Sequence, residues 1–319
     1  MNLTRLAVPM LCACMALLGA SSAAAQSYPS RPVRIVLSNA GGASDIAARM
    51  IVPTLSASLG QPVVIENRPG QIGIVAVKGA APDGHTLLSY GGGLWLVPLM
   101  SDKVQYDAVK DFAPITLQFR VPNILVVHPS LPVKSVKELV ALAKAKPGQL
   151  NVASGSPGSA SHIAAEMFNL LAQVNITRVP FAGAAPAITT LVAGEVQLMF
   201  ASPSTIQGQI KSGRVRALAS TGAEPSPLAA GVPTVGATVP GFDTESITAL
   251  FAPAGTPAAV IARLNQEFVR ALNQPDIREK LLGAGLVVST GSPEQLAAFI
   301  KADVARTGKV IKDAGIRAD

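Results

Sequence analysis

Short runs of β-branched and aliphatic residues alternate along this chain with stretches whose apolar positions recur at the helical period. Val33–Leu37 predicts a strand, and Asp45–Leu59 a helix stopped at Gly60. Pro62–Glu66 reads as a strand, Ile72–Ala80 as a helix and Thr86–Tyr90 as a strand. A second series opens with a strand at Ile124–Val127 and a helix at Ser135–Lys146, started by a capping box of Ser135 and Glu138 and stopped by Pro147-Gly148. Strands at Asn151–Ala153, Thr177–Val179, Val196–Phe200 and Val215–Ala219 then enclose helices near Ser161–Ala172, Ala185–Ala193 and Ser204–Ser212. Ile247–Ala252 is one more strand, followed by a long helix with Thr256 as N-cap and Pro257 in its first position. Ser292-Pro293-Glu294-Gln295 repeats the start signal, with Gln295 completing a capping box. The alternation predicts βαβ units and an α/β fold on mainly parallel sheets, whose ligands sit at the carboxyl ends of the strands. There is no internal repeat and no low-complexity linker. Short connections between the two series predict lobes tied by crossing strands, around a cleft that hinges shut.

Composition adjusts this picture at the amino terminus. The 319 residues are 49% hydrophobic and 14% charged, enough for about two domains. Arg5, the apolar run Leu6–Ala20 and the small residues Ser21–Ala25 have the layout of a secretory signal peptide spanning 1–25. Leu11-Cys12-Ala13-Cys14 resembles a lipid-attachment box, but a cut before Cys14 would leave too short an apolar region. Both cysteines lie in this leader, so the exported chain is expected to have no disulfide, thiol nucleophile or thiolate metal site. The net charge of +7 is scattered without a basic cluster, which predicts no nucleic-acid partner. A basic surface can steer anions, or serve solubility alone.

The chemistry is expected in small-residue loops that follow strands. Ser38-Asn39-Ala40-Gly41-Gly42-Ala43-Ser44-Asp45 follows the first strand, Gly91-Gly92-Gly93 follows Tyr90, and Ser154-Gly155-Ser156-Pro157-Gly158-Ser159-Ala160-Ser161 opens a helix. Glycine lets a ligand approach the backbone, and the following helix offers unpaired N–H groups with a positive dipole end, so an anion fits. Each residue also has an ordinary reading. Asp45 complements its helix dipole, Ser44 is an N-cap, and His162 in a first turn is either a ligand contact or a solvated helix residue.

Enzymatic readings have little support. Gly155-Ser156-Pro157-Gly158 approaches a nucleophile elbow, but the oxyanion donor would have to come from Pro157, which has no N–H. His85, His128 and His162 show no metal-ligand spacing, and there is no dinucleotide fingerprint, so no cofactor is expected.

Other segments carry a family resemblance. Tyr28-Pro29-Ser30-Arg31-Pro32-Val33-Arg34-Ile35-Val36, Gly60–Gly70, Ala81–Leu88, Val109–Pro114, Pro180–Gly183, Leu250–Pro257 and Ala314-Gly315-Ile316 together resemble the Bug family, the extracytoplasmic receptors of tripartite tricarboxylate transporters. The resemblance implies a two-lobed periplasmic binding protein fold of the type with two crossing strands. Lobe one would be 27–123 plus 248–319, and lobe two 124–247. It further implies a small carboxylate ligand held by the first strand–helix loop. Lobe two would close over it with Ser154–His162, Phe181-Ala182-Gly183 and Ala201-Ser202. The chain departs from the family pattern at the site: Leu37-Ser38-Asn39 stands for Pro-Phe-Pro, Ala182 for a common Lys, and Ala201 for a frequent Asp.

The expected function is a monomeric periplasmic solute-binding protein that captures an organic carboxylate and passes it to a membrane permease. A ligand-dependent signalling partner needs the same cleft and is the alternative. A serine esterase on Ser154 or Ser156 is the enzymatic competitor.

Overall fold

The computed structural model describes residues 28–37, 43–68, 70–155, 158–181 and 183–317. The expected leader, Ser38–Gly42, Ser156 and Ala182 lie outside them.

The chain begins β1 (Val33–Leu37), α1 (Ala43–Leu59), β2 (Val63–Asn67), α2 (Gln71–Lys78) and β3 (Thr86–Gly91). A short α3 (Gly93–Leu96) and the long β4 (Phe112–Pro122) follow. After Asn123 come β5 (Ile124–Val127), α4 (Val136–Ala145), β6 (Asn151–Ser154), α5 (Ala160–Ala172), β7 (Thr177–Pro180), α6 (Ala184–Val192), β8 (Leu198–Ala201), α7 (Pro203–Lys211) and β9 (Arg216–Ser220). The return consists of β10 (Glu245–Pro253), α8 (Ala258–Leu272), α9 (Pro275–Gly283), β11 (Val287–Val288) and α10 (Pro293–Asp313).

These strands form two sheets, ordered β11-β4-β10-β3-β1-β2 and β7-β6-β8-β5-β9. The βαβ parts pair in parallel, β1 with β2 and β3, and β6 with β7 and β8. Antiparallel pairs appear where the chain passes between sheets: β10 with β3 and β4, β5 with β8 and β9. The first passage is Asn123 alone. The second runs through 221–244 and is laced to the first: Thr221 Oγ1 accepts the Asn123 N–H at 2.8 Å, Asn123 O accepts the Thr221 N–H at 2.9 Å, and Thr221 O accepts the Thr244 N–H at 2.9 Å.

Strand alternation divides each core between two faces. Val33, Ile35 and Leu37 pack with Ile51 and Leu55 of α1 and Leu264 and Phe268 of α8. Val36, between them in sequence, points the other way and packs with Ile74, Val77, Trp95, Leu296 and Ile300. In the second sheet, Leu125 and Val127 join Val152, Phe168 and Phe200, whereas Ile124 and Val126 join Ala187, Leu191 and Ile206. Helices on both faces explain why these strands read as continuous apolar runs. Helix α10 serves both sheets: Leu296 and Ile300 lie under the first, and Val310 sits in the core of the second.

Ser292 and Gln295 form the expected capping box. At Ser135 only half of one forms: Ser135 Oγ accepts the Glu138 N–H, but the Glu138 carboxylate accepts the N–H of Lys134 at 2.6 Å instead of returning to Ser135. Thr256 is not the N-cap of α8. Its hydroxyl donates back to Pro253 O at 2.8 Å, and Pro257 takes the capping position.

Candidate functional site

The carboxyl ends of β3, β6 and β8 bring three of the expected loops toward the passages between the sheets. At the start of α1, Asp45 is 4% exposed and accepts a bidentate pair of hydrogen bonds from Arg49, at 2.9 and 3.0 Å, and one from Asn67 at 3.2 Å. Asp45 thus fastens α1 to the end of β2, which accounts for an acidic residue in this turn without invoking a ligand. Ser44 Oγ lies 3.5 Å from Thr248 Oγ1 of β10.

Gly91, Gly92 and Gly93 line a cleft of about 250 Å³ with Gly158, Ala160, Ile163, the segment Thr244–Ile247, Asp303 and Thr307. A side chain at Gly91 would place its Cβ 3.0 Å from Ile247 O, so the β10 backbone would have to give by a few tenths of an ångström to admit one. Asp303 is committed to three donors. It accepts from the Trp95 indole at 2.7 Å, from Thr307 at 2.8 Å and from Arg306 at 3.2 Å. Glu245 pairs with Arg120 at 3.2 Å, and burial pushes its carboxyl above the usual range despite that cation.

A second cleft of about 270 Å³ adjoins the first across Ala160. It is lined by Asn123, Gly155, Ser159, Ala160, Ser161, Phe181, Gly183, Ala184, Ala187, Met199, Phe200, Ser202 and Thr205. None of these described lining residues is charged. Three helix N-termini converge here. Ser159 caps α5 by accepting the His162 N–H at 3.3 Å. Gly183 caps α6 with no side chain, and Ser202 caps α7 without a side-chain bond to a backbone N–H of the helix, its hydroxyl meeting Ser204 Oγ at 3.0 Å instead. The positive dipole ends of the three helices meet at this cleft, although Pro186 and Pro203 each remove a first-turn N–H from α6 and α7 and the Thr205 N–H is already taken by Ser202 O at 3.1 Å. Ser161 Oγ accepts the Gly155 N–H at 2.9 Å and lies 3.3 Å from Ser159 Oγ. One hydroxyl proton links the two serines, and the other is left to donate outward.

Of the expected residues, Gly91, Gly92, Gly93 and Gly158 line the first cleft, and Ser159, Ser161, Phe181, Gly183 and Ser202 the second. Ser44, Asp45, Ser154, His162 and Ala201 line neither. Ser154 is fully buried, its hydroxyl donating to Gly155 O at 3.2 Å and accepting from Arg178 at 3.0 Å. A serine so placed has no base to activate it. Ala201 is packed into the core with Ile124 and Val126. His162 is 5% exposed, so it is not a solvated helix residue; it supports the turn from behind. His128 meets Ser130 Oγ at 2.7 Å and serves a turn. Ser38, Asn39, Ala40, Gly41, Gly42, Ser156 and Ala182 lie outside the described residues. Sequence reasoning missed Asn123, Thr205, Asp303, Thr307 and the segment Thr244–Ile247. Nothing in the sequence singled out Asn123, because the strand that ends beside it at Pro122 could not be read from its mixed polar and apolar residues. Among the described residues no group of three or more His, Cys, Asp or Glu side chains could hold a metal ion, and no helix is long and apolar enough to cross a membrane.

The chain matches the model for the "Tripartite tricarboxylate transporter family receptor" over residues 47–316. It is 32% identical to Protein BugT of Bordetella pertussis, covering 99% of each chain. Among solved structures it is similar to Rpa4515 of Rhodopseudomonas palustris with adipate, at 34% identity and a TM-score of 0.71, covering 91% of this chain and 99% of that one. It is similar too to MatC of the same organism with bound malate, at 34% identity and a TM-score of 0.67, covering 89% of this chain and 100% of that one.

Proposed function

The chain belongs to the tripartite tricarboxylate transporter receptor family, and from that premise we propose that it is a periplasmic receptor that captures a small organic carboxylate between its two sheets. The observation that carries this reading is the convergence of three helix N-termini, two of them without a side-chain cap, on an uncharged cleft beside the passages between the sheets. N–H groups held in place by helices bind an anion without reorganising. The relatives with adipate and malate support the same ligand class.

In this reading lobe one comprises 27–123 plus 248–319 and lobe two 124–247. The lobes turn about Asn123 and Thr221–Thr244, and closure presses the loops at Gly91–Gly93 and Ser154–His162 onto the ligand. The loop Ser38–Ser44 completes the cradle, together with Phe181-Ala182-Gly183 and Ser202. The leader 1–25 is removed on export. The closed monomer then presents the ligand to a membrane permease, and the ligand leaves chemically unchanged.

Mild denaturation of purified protein, with mass spectrometry of what is released, tests the ligand class directly. Calorimetric titration of stripped protein with adipate, malate and aromatic acids follows. Recovery of a stoichiometric carboxylic acid, or saturable binding of one, is the expected result. Folded, stripped protein that binds none of them would overturn the reading.

A further inference from the structure

The second cleft holds an observation that carboxylate capture alone does not use. Asn123, 5% exposed, lines it, and its amide Nδ2 is buried without a hydrogen-bond partner among the described residues. Its backbone is independently satisfied by Thr221 on both sides. A buried donor left unpaired destabilises the protein until an acceptor arrives. The surroundings supply more donors: the first turns of α6 and α7, and a serine hydroxyl at the start of α5. Among the described residues that line this cleft there is no acid. The carboxylates of the neighbouring cleft are committed, Glu245 to Arg120 and Asp303 to Trp95, Thr307 and Arg306.

We infer that Asn123 is a specificity-determining residue that donates to a hydrogen-bond acceptor on the ligand, so that the receptor takes carboxylates with a distal acceptor or apolar end and rejects their ammonium-bearing counterparts. This rests on the reading of the cleft as the carboxylate site. An ammonium here would exchange water for N–H donors and positive helix ends, with no free carboxylate to receive it. Phe181, Ala187 and Met199 accept the carbon skeleton.

The test pairs acids with their amino-bearing counterparts: adipate with 2-aminoadipate, succinate with aspartate, and 3-phenylpropanoate with phenylalanine. Each is titrated by calorimetry into stripped wild type, Asn123→Ala and Asn123→Asp. Wild type is expected to prefer at least one unaminated acid by about tenfold or more. In Asn123→Ala that acid should bind at least about tenfold more weakly. The melting temperature of the unliganded variant should be unchanged or higher, because an unpaired donor has gone. Asn123→Asp should weaken the acid further and narrow the discrimination against the amine. Equal binding of both members of each pair would overturn the inference. So would a lower melting temperature in Asn123→Ala with unchanged affinity, which makes the residue structural. If Asn123→Asp fails to fold, Asn123→Ala decides alone. If wild type binds no acid in the panel, the carboxylate reading itself falls, and this inference with it.

Discussion

The Nδ1 atom of His162 accepts a hydrogen bond from the backbone N–H of Gly158, 3.0 Å away, across the turn that opens α5. An accepting Nδ1 puts the ring proton on Nε2, the atom that lies 3.7 Å from Glu166. Glycine takes the φ of +76° at 158 without strain, where other residues would be strained and a side chain would press a Cβ to 3.0 Å from Met100 Sδ. The imidazole therefore fixes the loop. His162→Phe keeps the bulk and removes the acceptor. Its expected effects are a loss of about 1 kcal/mol of stability and a several-fold weaker ligand affinity, read by denaturant unfolding and calorimetry.

Asp303 is the acceptor for a buried indole. Asp303→Ala strands the Trp95 N–H, frees Thr307 and unpairs Arg306 from one of its two carboxylates. The cost should be about 3 kcal/mol, a melting temperature roughly 6–10 °C lower. Asp303→Asn, which keeps an acceptor, should cost less than half as much in the same assay.

The capping box at the head of α10 has a smaller, cleaner signature. Ser292→Ala leaves the Gln295 N–H without its cap and should cost about 1 kcal/mol in urea unfolding, with the slope unchanged.

Acid should loosen the 107–111 turn. Asp107 is held below the ordinary aspartate value of 3.8 chiefly by the backbone N–H of Lys110, and Asp111 chiefly by that of Asp107. A depressed folded value means that the stabilisation is complete above 3.8 and is lost as pH falls through the lowered values. The melting temperature should therefore hold steady down to that range and then drop. Asp107→Asn should shift part of that loss to neutral pH and flatten the acid limb of the melting curve.

How far the sequence foretold this arrangement depended on where the relevant partners lay. Ile124–Val127 is apolar on both faces and Val33–Leu37 nearly so, broken only by the exposed Arg34, so composition within a few residues reveals them. The longest strand, β4, was invisible by the same test. Phe112–Pro122 carries Thr116, Gln118, Arg120 and two prolines, and its buried polar groups are satisfied from afar: Gln118 by Ser89 at 2.7 Å, Thr116 by Gly291 at 3.0 Å. The candidate site divides similarly. Glycine and serine loops after strands announce a ligand-facing backbone. Asn123, between a proline and a strand, looks like any turn residue until the two passages are seen side by side. Thr256-Pro257 misled because a hydroxyl before proline can turn back on the strand as readily as forward to the helix.

Helix α10 has a consequence for how the molecule melts. Two sheets built on separate stretches of chain could come apart in two thermal steps, each with its own enthalpy. Here Leu296 and Ile300 belong to the hydrophobic interior of one sheet and Val310 to that of the other, so neither can dissolve without releasing the same helix. Scanning calorimetry should accordingly show a single transition whose van't Hoff and calorimetric enthalpies agree. Val310→Asp should split it in two, because a charge in the second interior severs the shared member. The helix makes thermal cooperativity a property of the whole chain, and a ligand gripped on one side then raises the melting point of both.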